Sequence, residues 1–436
     1  MTRQFKCHFS PLTKYHVTSD HSQFKTVALC ALCVIQRSSS VEPGHSLGAA
    51  DRPFMGENAM GFKSKWSIRG GLLAAASMAV ISPARAIAAY AYTITELAPP
   101  GQNDTEATAI NASGQVIINT DDVGPGTHPT YYNGTYHALS SVASNGDTLR
   151  SISSSGVAVG YSYNSIGNSV ATFVNTGSSS TLSLLTPLSS GAQSAAYAVN
   201  TVGTIVGDST SGGVPKAVTW SGTSASPSLI SLPSGSWDNT GSSIAQGVNA
   251  TGTIVGQATA TNGNTDAFVD VSGTISDISP STGVTSVVEA INSAGSVVGN
   301  SVDADGNALA FLYTPGSGPV LLPTLGGTID ESDAESINAS GLAVGQSDAA
   351  DDSGLHAVLY TSSSSIVDLN SDIDPTLGWT LTNAESINDA GDIVGVGTLD
   401  GVQEAFLLTP NAAVPEPASL GLICASGVLL LRRRRA

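Results

Sequence analysis

Between residues 87 and 410 the chain alternates short apolar runs with clusters of Gly, Ser, Thr, Asn and Asp, and no long stretch carries a helical spacing of apolar residues. One pattern recurs: an apolar residue, Asn, two free positions and Gly, followed by two apolar residues and a second Gly. Clear copies are Ile110-Asn111-Ala112-Ser113-Gly114, Val199-Asn200-Thr201-Val202-Gly203, Val248-Asn249-Ala250-Thr251-Gly252, Ile291-Asn292-Ser293-Ala294-Gly295, Ile337-Asn338-Ala339-Ser340-Gly341 and Ile387-Asn388-Asp389-Ala390-Gly391. A seventh, Ile152-Ser153-Ser154-Ser155-Gly156, has Ser in place of Asn. Steps between the key positions are 42, 47, 49, 43, 46 and 50 residues.

Asn at the first position and Gly at the fourth suit a tight turn, because the Asn side chain bonds back to the backbone and Gly tolerates positive φ. The turn therefore joins two strands, the second of which carries Ile205-Val206-Gly207, Ile254-Val255-Gly256, Val297-Val298-Gly299, Ala343-Val344-Gly345 or Ile393-Val394-Gly395. Adjacent apolar residues rather than strict alternation point to a sheet covered on both faces. A third strand follows in each copy, as in Ala217-Val218-Thr219-Trp220, Ala310-Phe311-Leu312-Tyr313 and Ala405-Phe406-Leu407. Six copies continue into a fourth, such as Leu229-Ile230-Ser231-Leu232 and Ile366-Val367-Asp368-Leu369. The seventh lacks one, and Tyr92-Thr93-Ile94-Thr95-Glu96-Leu97, ahead of the first turn, has the missing pattern. The expected fold is all-β: a seven-bladed β-propeller-like domain whose N-terminal strand closes the last blade, with an open β-solenoid as the rival arrangement.

Charge narrows the partners. Residues 87–410 hold 29 Asp and Glu against Arg150 and Lys216 alone. Such a field repels phosphate backbones, which argues against nucleic acid and anionic lipid and favours calcium, cationic polymers or neutral glycans. The same stretch has no cysteine, so neither disulfides nor a thiolate metal site holds the fold.

The flanks carry addresses. Lys63, Lys65 and Arg69 precede the apolar run Leu72 to Ile81, which ends at Ala84-Arg85-Ala86, with Ala84 and Ala86 at the small positions of a secretory cleavage site. Residues 60–86 therefore read as a signal peptide, and 1–59 as a leader or an extension upstream of the true start at Met55 or Met60. At the other end, residues 411–436 contain Val414-Pro415-Glu416-Pro417, then a 13-residue apolar run from Ser419 to Leu431 and Arg432, Arg433, Arg434 and Arg435. As a helix that run spans roughly 20 Å, short of a hydrocarbon core of about 30 Å. The arginines would stay cytoplasmic and leave the preceding domain outside, which suits a temporary hold.

The order Pro-Glu-Pro, short apolar helix, arginine cluster resembles the PEP-CTERM sorting domain over Val414 to Ala436. The resemblance implies recognition of Pro415-Glu416-Pro417 by an integral-membrane exosortase, a transpeptidase-like enzyme, with transient membrane insertion and transfer to the outer envelope or extracellular polysaccharide. The repeats resemble HAF-type extracellular repeats over residues 92–409, most closely in Leu355-His356-Ala357-Val358-Leu359-Tyr360 and Leu322-Pro323-Thr324-Leu325-Gly326-Gly327. They depart at Ile118, where the signature has Gly, and at Ser153. The family implies an extracellular propeller-like domain and no reaction.

Candidate chemistry is sparse. Asp303, Asp305 and Asn307 alternate hard oxygen ligands as in a calcium loop, although Asp-Gly and Gly-Asn are also ordinary hairpin pairs. Asp348, Asp351 and Asp352 form a looser version. The histidines His128, His137 and His356 read as structural, and Asp330, Glu331, Asp333 and Glu335 as a loop cluster able to serve a glycosidase only if two acids meet across a pocket. Trp220, Trp237 and Trp379 suit blade packing or sugar stacking. The expectation is a non-catalytic interaction or structural module of the envelope or matrix, binding polysaccharide or surface proteins; the alternative is a polysaccharide-active enzyme on the same scaffold.

Overall fold

Twenty-eight strands form seven four-stranded antiparallel sheets in a computed structural model that describes residues 91–411, apart from 103, 121–127, 143–145, 281–284, 304–305, 329 and 352. The leader, Ala84 and Ala86, the apolar C-terminal run expected to be helical, Val414 to Pro417 and Arg432 to Arg435 lie outside the described residues. We letter the strands a to d within each blade. In blades 1 to 7, strands a are Thr105–Ile110, Asp147–Ile152, Ser194–Val199, Ser243–Val248, Ser286–Ile291, Ser332–Ile337 and Trp379–Ile387; strands b are Val116–Thr120, Val157–Tyr163, Ile205–Ser211, Ile254–Thr259, Val297–Val302, Ala343–Asp348 and Ile393–Leu399; and strands c are Thr130–Tyr132, Ser169–Asn175, Val214–Trp220, Thr265–Val271, Ala308–Thr314, Leu355–Ser362 and Val402–Pro410. Each touches its neighbours on both sides, blade 7 meeting blade 1, so the strands a line a common axis.

The ring closes as the sequence predicts. Tyr92–Glu96 is strand d of blade 7 and pairs with strand c, Val402–Pro410, from Tyr92 opposite Pro410 to Glu96 opposite Phe406. Every junction between adjacent blades has its own apolar core. Leu97, Ala107, Val116 and Ile118 meet Val394 and Ala405 between blades 1 and 7, and Val298, Ala310 and Leu322 meet Ala334, Ile337 and Tyr360 between blades 5 and 6. This two-sided burial is why the strands read as adjacent apolar pairs rather than alternating ones. An alanine in the middle of strand c is fully buried under the next blade in four blades, and its N–H donates to a hydroxyl there: Ala171 to Ser194, Ala217 to Ser243, Ala310 to Ser332 and Ala405 to Thr105, each at 3.0 Å.

The repeated Asn does two jobs. Within its turn Oδ1 accepts the N–H groups two and four residues on, as Asn292 does from Ala294 at 3.0 Å and Ser296 at 2.9 Å. The turn Gly takes φ between 73° and 87° in all seven copies, which a side chain resists. Nδ2 then reaches across to the next blade and donates to the backbone carbonyl of its key residue. Asn200 bonds Asn249, Asn249 bonds Asn292, Asn292 bonds Asn338, Asn338 bonds Asn388, Asn388 bonds Asn111 and Asn111 bonds Ser153, at 2.9 to 3.3 Å. Six of the seven steps around the ring are thus linked. At the remaining step, Ser153 spends its hydroxyl on Val157 N and Ser155, and makes no link to Asn200.

Candidate functional site: an axial ring of bulged residues

In every blade the pairing of strands a and b slips by one residue three positions before the key Asn or Ser. Ala196 pairs with Gly207 and Ala198 with Val206, which leaves Tyr197 unpaired between them. The equivalents are Thr108, Arg150, Gln246, Glu289, Glu335 and Glu385. A β-bulge turns the extra side chain out of the regular alternation. Here all seven converge on one axial cavity of about 200 Å³.

The second Gly of the signature belongs to this device. A Cβ on Gly207 would lie 2.0 Å from the Ala195 carbonyl oxygen, and on Gly299 2.1 Å from that of Val287, because the bulged strand a leans over strand b at that point. Gly160, Gly256, Gly345 and Gly395 are equally crowded. Blade 1 keeps the bulge with the buried Ile118 in the Gly position. The strand also holds Asn119, whose amide bonds Thr108 Oγ1 and Leu149 O at 2.9 Å.

Toward the turns, Ile110, Ile152, Val199, Val248 and Ile291 line both this cavity and a mouth of about 250 Å³ framed by the Asn turns. The axis therefore runs from polar turns through an apolar collar into the ring of bulged side chains.

That ring is divided in charge. Arg150, on blade 2, is exposed to solvent where it lines the cavity. Burial would lower its pKa, but Tyr161, Glu289, Glu385 and Glu335 together raise it. Glu289, Glu335 and Glu385 occupy blades 5 to 7. Burial first, then Asp333, brings Glu289 up to about 7 despite a 3.3 Å bond from Gln246 and the attraction of Arg150. Burial and the neighbouring Glu106 carboxyl, with which it shares a hydrogen bond, bring Glu385 up to about 8. Glu335 is held well above the usual carboxylate range by burial and by Asp333, Glu385 and Glu289. Asp333 is raised by burial, against bonds from Asn300 at 2.9 Å and Ala334 N at 2.8 Å. Beside the ring, Tyr197 donates to Asp208 at 3.1 Å, and burial raises Asp208 to about 6.

Of the acids singled out in the sequence, Asp333 and Glu335 face this cluster, whereas Asp330 is exposed and bonded by Thr324 Oγ1. Glu289, Glu385 and Arg150 were not singled out. Their signal is a column: three residues before each key position the repeats read Thr, Arg, Tyr, Gln, Glu, Glu, Glu.

Elsewhere the chemistry is structural. Asp303 accepts Asn307 N at 3.0 Å and Asn307 Nδ2 at 3.3 Å, closing the hairpin of the expected calcium loop; Asp305 lies outside the described residues. Among the described residues no group of three or more His, Cys, Asp or Glu is placed to hold a metal ion. His137 stacks on Tyr131, and His128 lies 3.4 Å from Asp147. Ser353, His356 and Asp368 have the spacing of a hydrolytic relay, with Oγ to Nε2 at 3.1 Å and Nδ1 to Oδ2 at 2.8 Å. Ser353, however, donates its one hydroxyl proton to Asp351 at 2.6 Å, so it accepts from the ring instead of giving the proton a general base would take. Trp220 and Trp237 are buried, the first bonding Thr186 O and the second edge-on to Phe268; Trp379 lies edge-on to Phe406. Lys216, the other cation, is bound to the carbonyls of Asn239 and Gly241.

No protein-family model matches the chain, and no curated protein matches it. Among solved structures it is similar to a putative TolB from Agrobacterium tumefaciens, at 12% identity over 71% of this chain and 91% of that one, with a TM-score of 0.38. It is also similar to YCF48 bound to D1 peptide, at 9% identity over 74% and 97%, TM-score 0.43. A third is the six-bladed β-propeller lectin of Aleuria aurantia, at 12% identity over 61% and 95%, TM-score 0.35. The propeller architecture rests on the strand pairing of this chain, and no property of those proteins is carried over.

Proposed function

We propose that the chain is an exported cell-envelope or extracellular-matrix protein whose seven-bladed ring is a non-catalytic interaction module. The observation that carries this reading is the convergence of one bulged side chain from each of seven blades on a single polar axial cavity. A pocket with a few converging polar groups is the usual form of a binding site. Delivery would use the signal peptide ending at Ala86, and sorting an exosortase-type transpeptidase acting at Pro415-Glu416-Pro417, with Ser419 to Leu431 held in the membrane meanwhile. The position of the motif supports this order. Strand pairing ends at Pro410, and Asn411 N bonds Ala91 O at 2.8 Å, so removal of the tail would take no strand from any blade. The candidate partners are neutral or cationic matrix polysaccharide and other surface proteins.

Two experiments test the reading. The purified ring, residues 87–410, applied to an array of envelope and matrix glycans and to the isolated surface-protein fraction, should be retained on at least one; retention on neither overturns the interaction assignment. Deletion of Val414 to Ala436 should leave a folded ring that is mislocalised on fractionation, and correct delivery without the tail overturns the sorting assignment.

A further inference from the structure

Arg150 and the acids of the axial ring face one another without touching. The ion pairs found among the described residues are His128 with Asp147 and His356 with Asp368, and Arg150 makes none, although Glu289, Glu335 and Glu385 share its cavity. An arginine and carboxylates that share one cavity would normally contact one another, because a direct pair offsets part of the desolvation cost that each isolated charge bears. Blade geometry keeps them apart: Arg150 stands on blade 2, Glu289 on blade 5 and Glu335 on blade 6, across the axis.

Two further groups wait in the same place. Glu335 is half-buried, lines the cavity and makes no hydrogen bond to any described residue. Gln246 Oε1, on the intervening blade 4, is a buried acceptor with no partner. Glu335 can receive an N–H from a molecule in the cavity, and it receives none from Arg150. An apolar cavity of about 150 Å³ holds a benzene ring, so a space of about 200 Å³ suits a ligand of roughly ten non-hydrogen atoms or fewer.

We propose that the axial cavity binds a small zwitterion of the amino-acid class, with its carboxylate on the Arg150 guanidinium and its ammonium group between Glu335 and Glu289. Arginine pairs with a carboxylate through two parallel N–H donors, which fixes the orientation of the ligand. The acids outnumber the single cation, so the ammonium end supplies most of the attraction, and an amine without a carboxylate is the next best occupant. The ring's acids are held above their usual pKa, so a bound ammonium releases protons and binding tightens as pH rises from 5 to 8. The inference rests on the reading of the ring as an interaction module and names what its axis takes.

The test is calorimetric titration of residues 87–410 with γ-aminobutyrate, β-alanine and lysine, beside butylamine and butyrate as single-ended probes. At least one zwitterion should bind ten-fold or more tightly than butylamine, and butyrate should not bind. Arg150→Gln should reduce the zwitterion to the affinity of butylamine, and Glu335→Gln should weaken zwitterion and amine alike. Failure of all zwitterions to bind at millimolar concentration overturns the proposal, as does equal affinity for γ-aminobutyrate and butylamine in the unaltered protein, a comparison that needs no variant to fold. Retention on glycans and surface proteins, measured on the same preparation, separates the two failures: retention without zwitterion binding defeats this inference alone.

Discussion

Replacing Asn292 with Ala tests the ring of turns where it is most regular. The side chain is buried to 5% exposure, accepts two N–H groups in its own turn and donates across to Asn338 O at 3.0 Å. Each such bond contributes about 1 kcal/mol net, and a buried group left unpaired costs about 1–3 kcal/mol. The turn borders the open mouth of the axis, so water can reach part of what Ala would strand. The expected loss is therefore about 2–4 kcal/mol, read by urea unfolding followed through tryptophan fluorescence. Asn292→Asp keeps the acceptor of the turn but sets a carboxylate oxygen against the Asn338 carbonyl, so it should cost at least as much as Ala. Ser153→Asn supplies the missing seventh link, to Asn200 O, and should stabilise by about 1 kcal/mol. A loss under 0.5 kcal/mol for Asn292→Ala, below the typical value of a single bond, would refute the assignment of these residues as the ring's connectors.

Other consequences are as direct. Gly299→Ala places a Cβ 2.1 Å from the Val287 carbonyl oxygen and 2.7 Å from Val288 Cα, so it should destabilise by about 1–3 kcal/mol or more in thermal unfolding; a neutral result would mean the bulge of blade 5 relaxes freely. Glu289 and Glu385 have folded-state pKa values near 7 and 8 against an ordinary 4.5, so the folded ring binds more protons than the unfolded chain between those limits. Stability should accordingly fall as pH rises from 5 to 8.5, and Glu385→Gln should flatten the slope in a Tm-against-pH series. Removing Tyr92 to Glu96 exposes the edge of strand c in blade 7, and light scattering should then show association between copies, whereas an unchanged monomer would argue against closure by that strand.

The architecture was legible because one turn, with its backbone and hydrogen-bonding requirements, recurs seven times. Asn292 and its equivalents need their amides for two bonds in the turn and one beyond it, and Gly295 and its equivalents need positive φ, so the spacing of these residues gives the blade count directly. The closing strand was legible for a related reason: six copies end in a fourth strand, the seventh lacks one, and Tyr92 to Glu96 has the missing pattern. The axial ring was hidden by the same bulges that build it. A strand read with period two assigns Glu289 or Arg150 no consistent face, since the inserted residue breaks the alternation. Asp333 and Glu335 read in sequence as loop acids beside Asp330 and Glu331, although strand a of blade 6 begins at Ser332 and carries Asp333 and Glu335 to the axial cluster. Aligning the repeats on the key Asn and reading the column three residues earlier would have found the ring without a structure.

The central claim, that this ring binds without cleaving, is tested by incubating residues 87–410 with the producing cell's extracellular polysaccharide and following bound protein and new reducing ends in one time course. The account predicts retention on the polymer with reducing ends no higher than in a protein-free control. Reducing ends that accumulate with time, and that disappear in Glu335→Gln or Glu385→Gln, would contradict it and make the axial carboxylates catalytic.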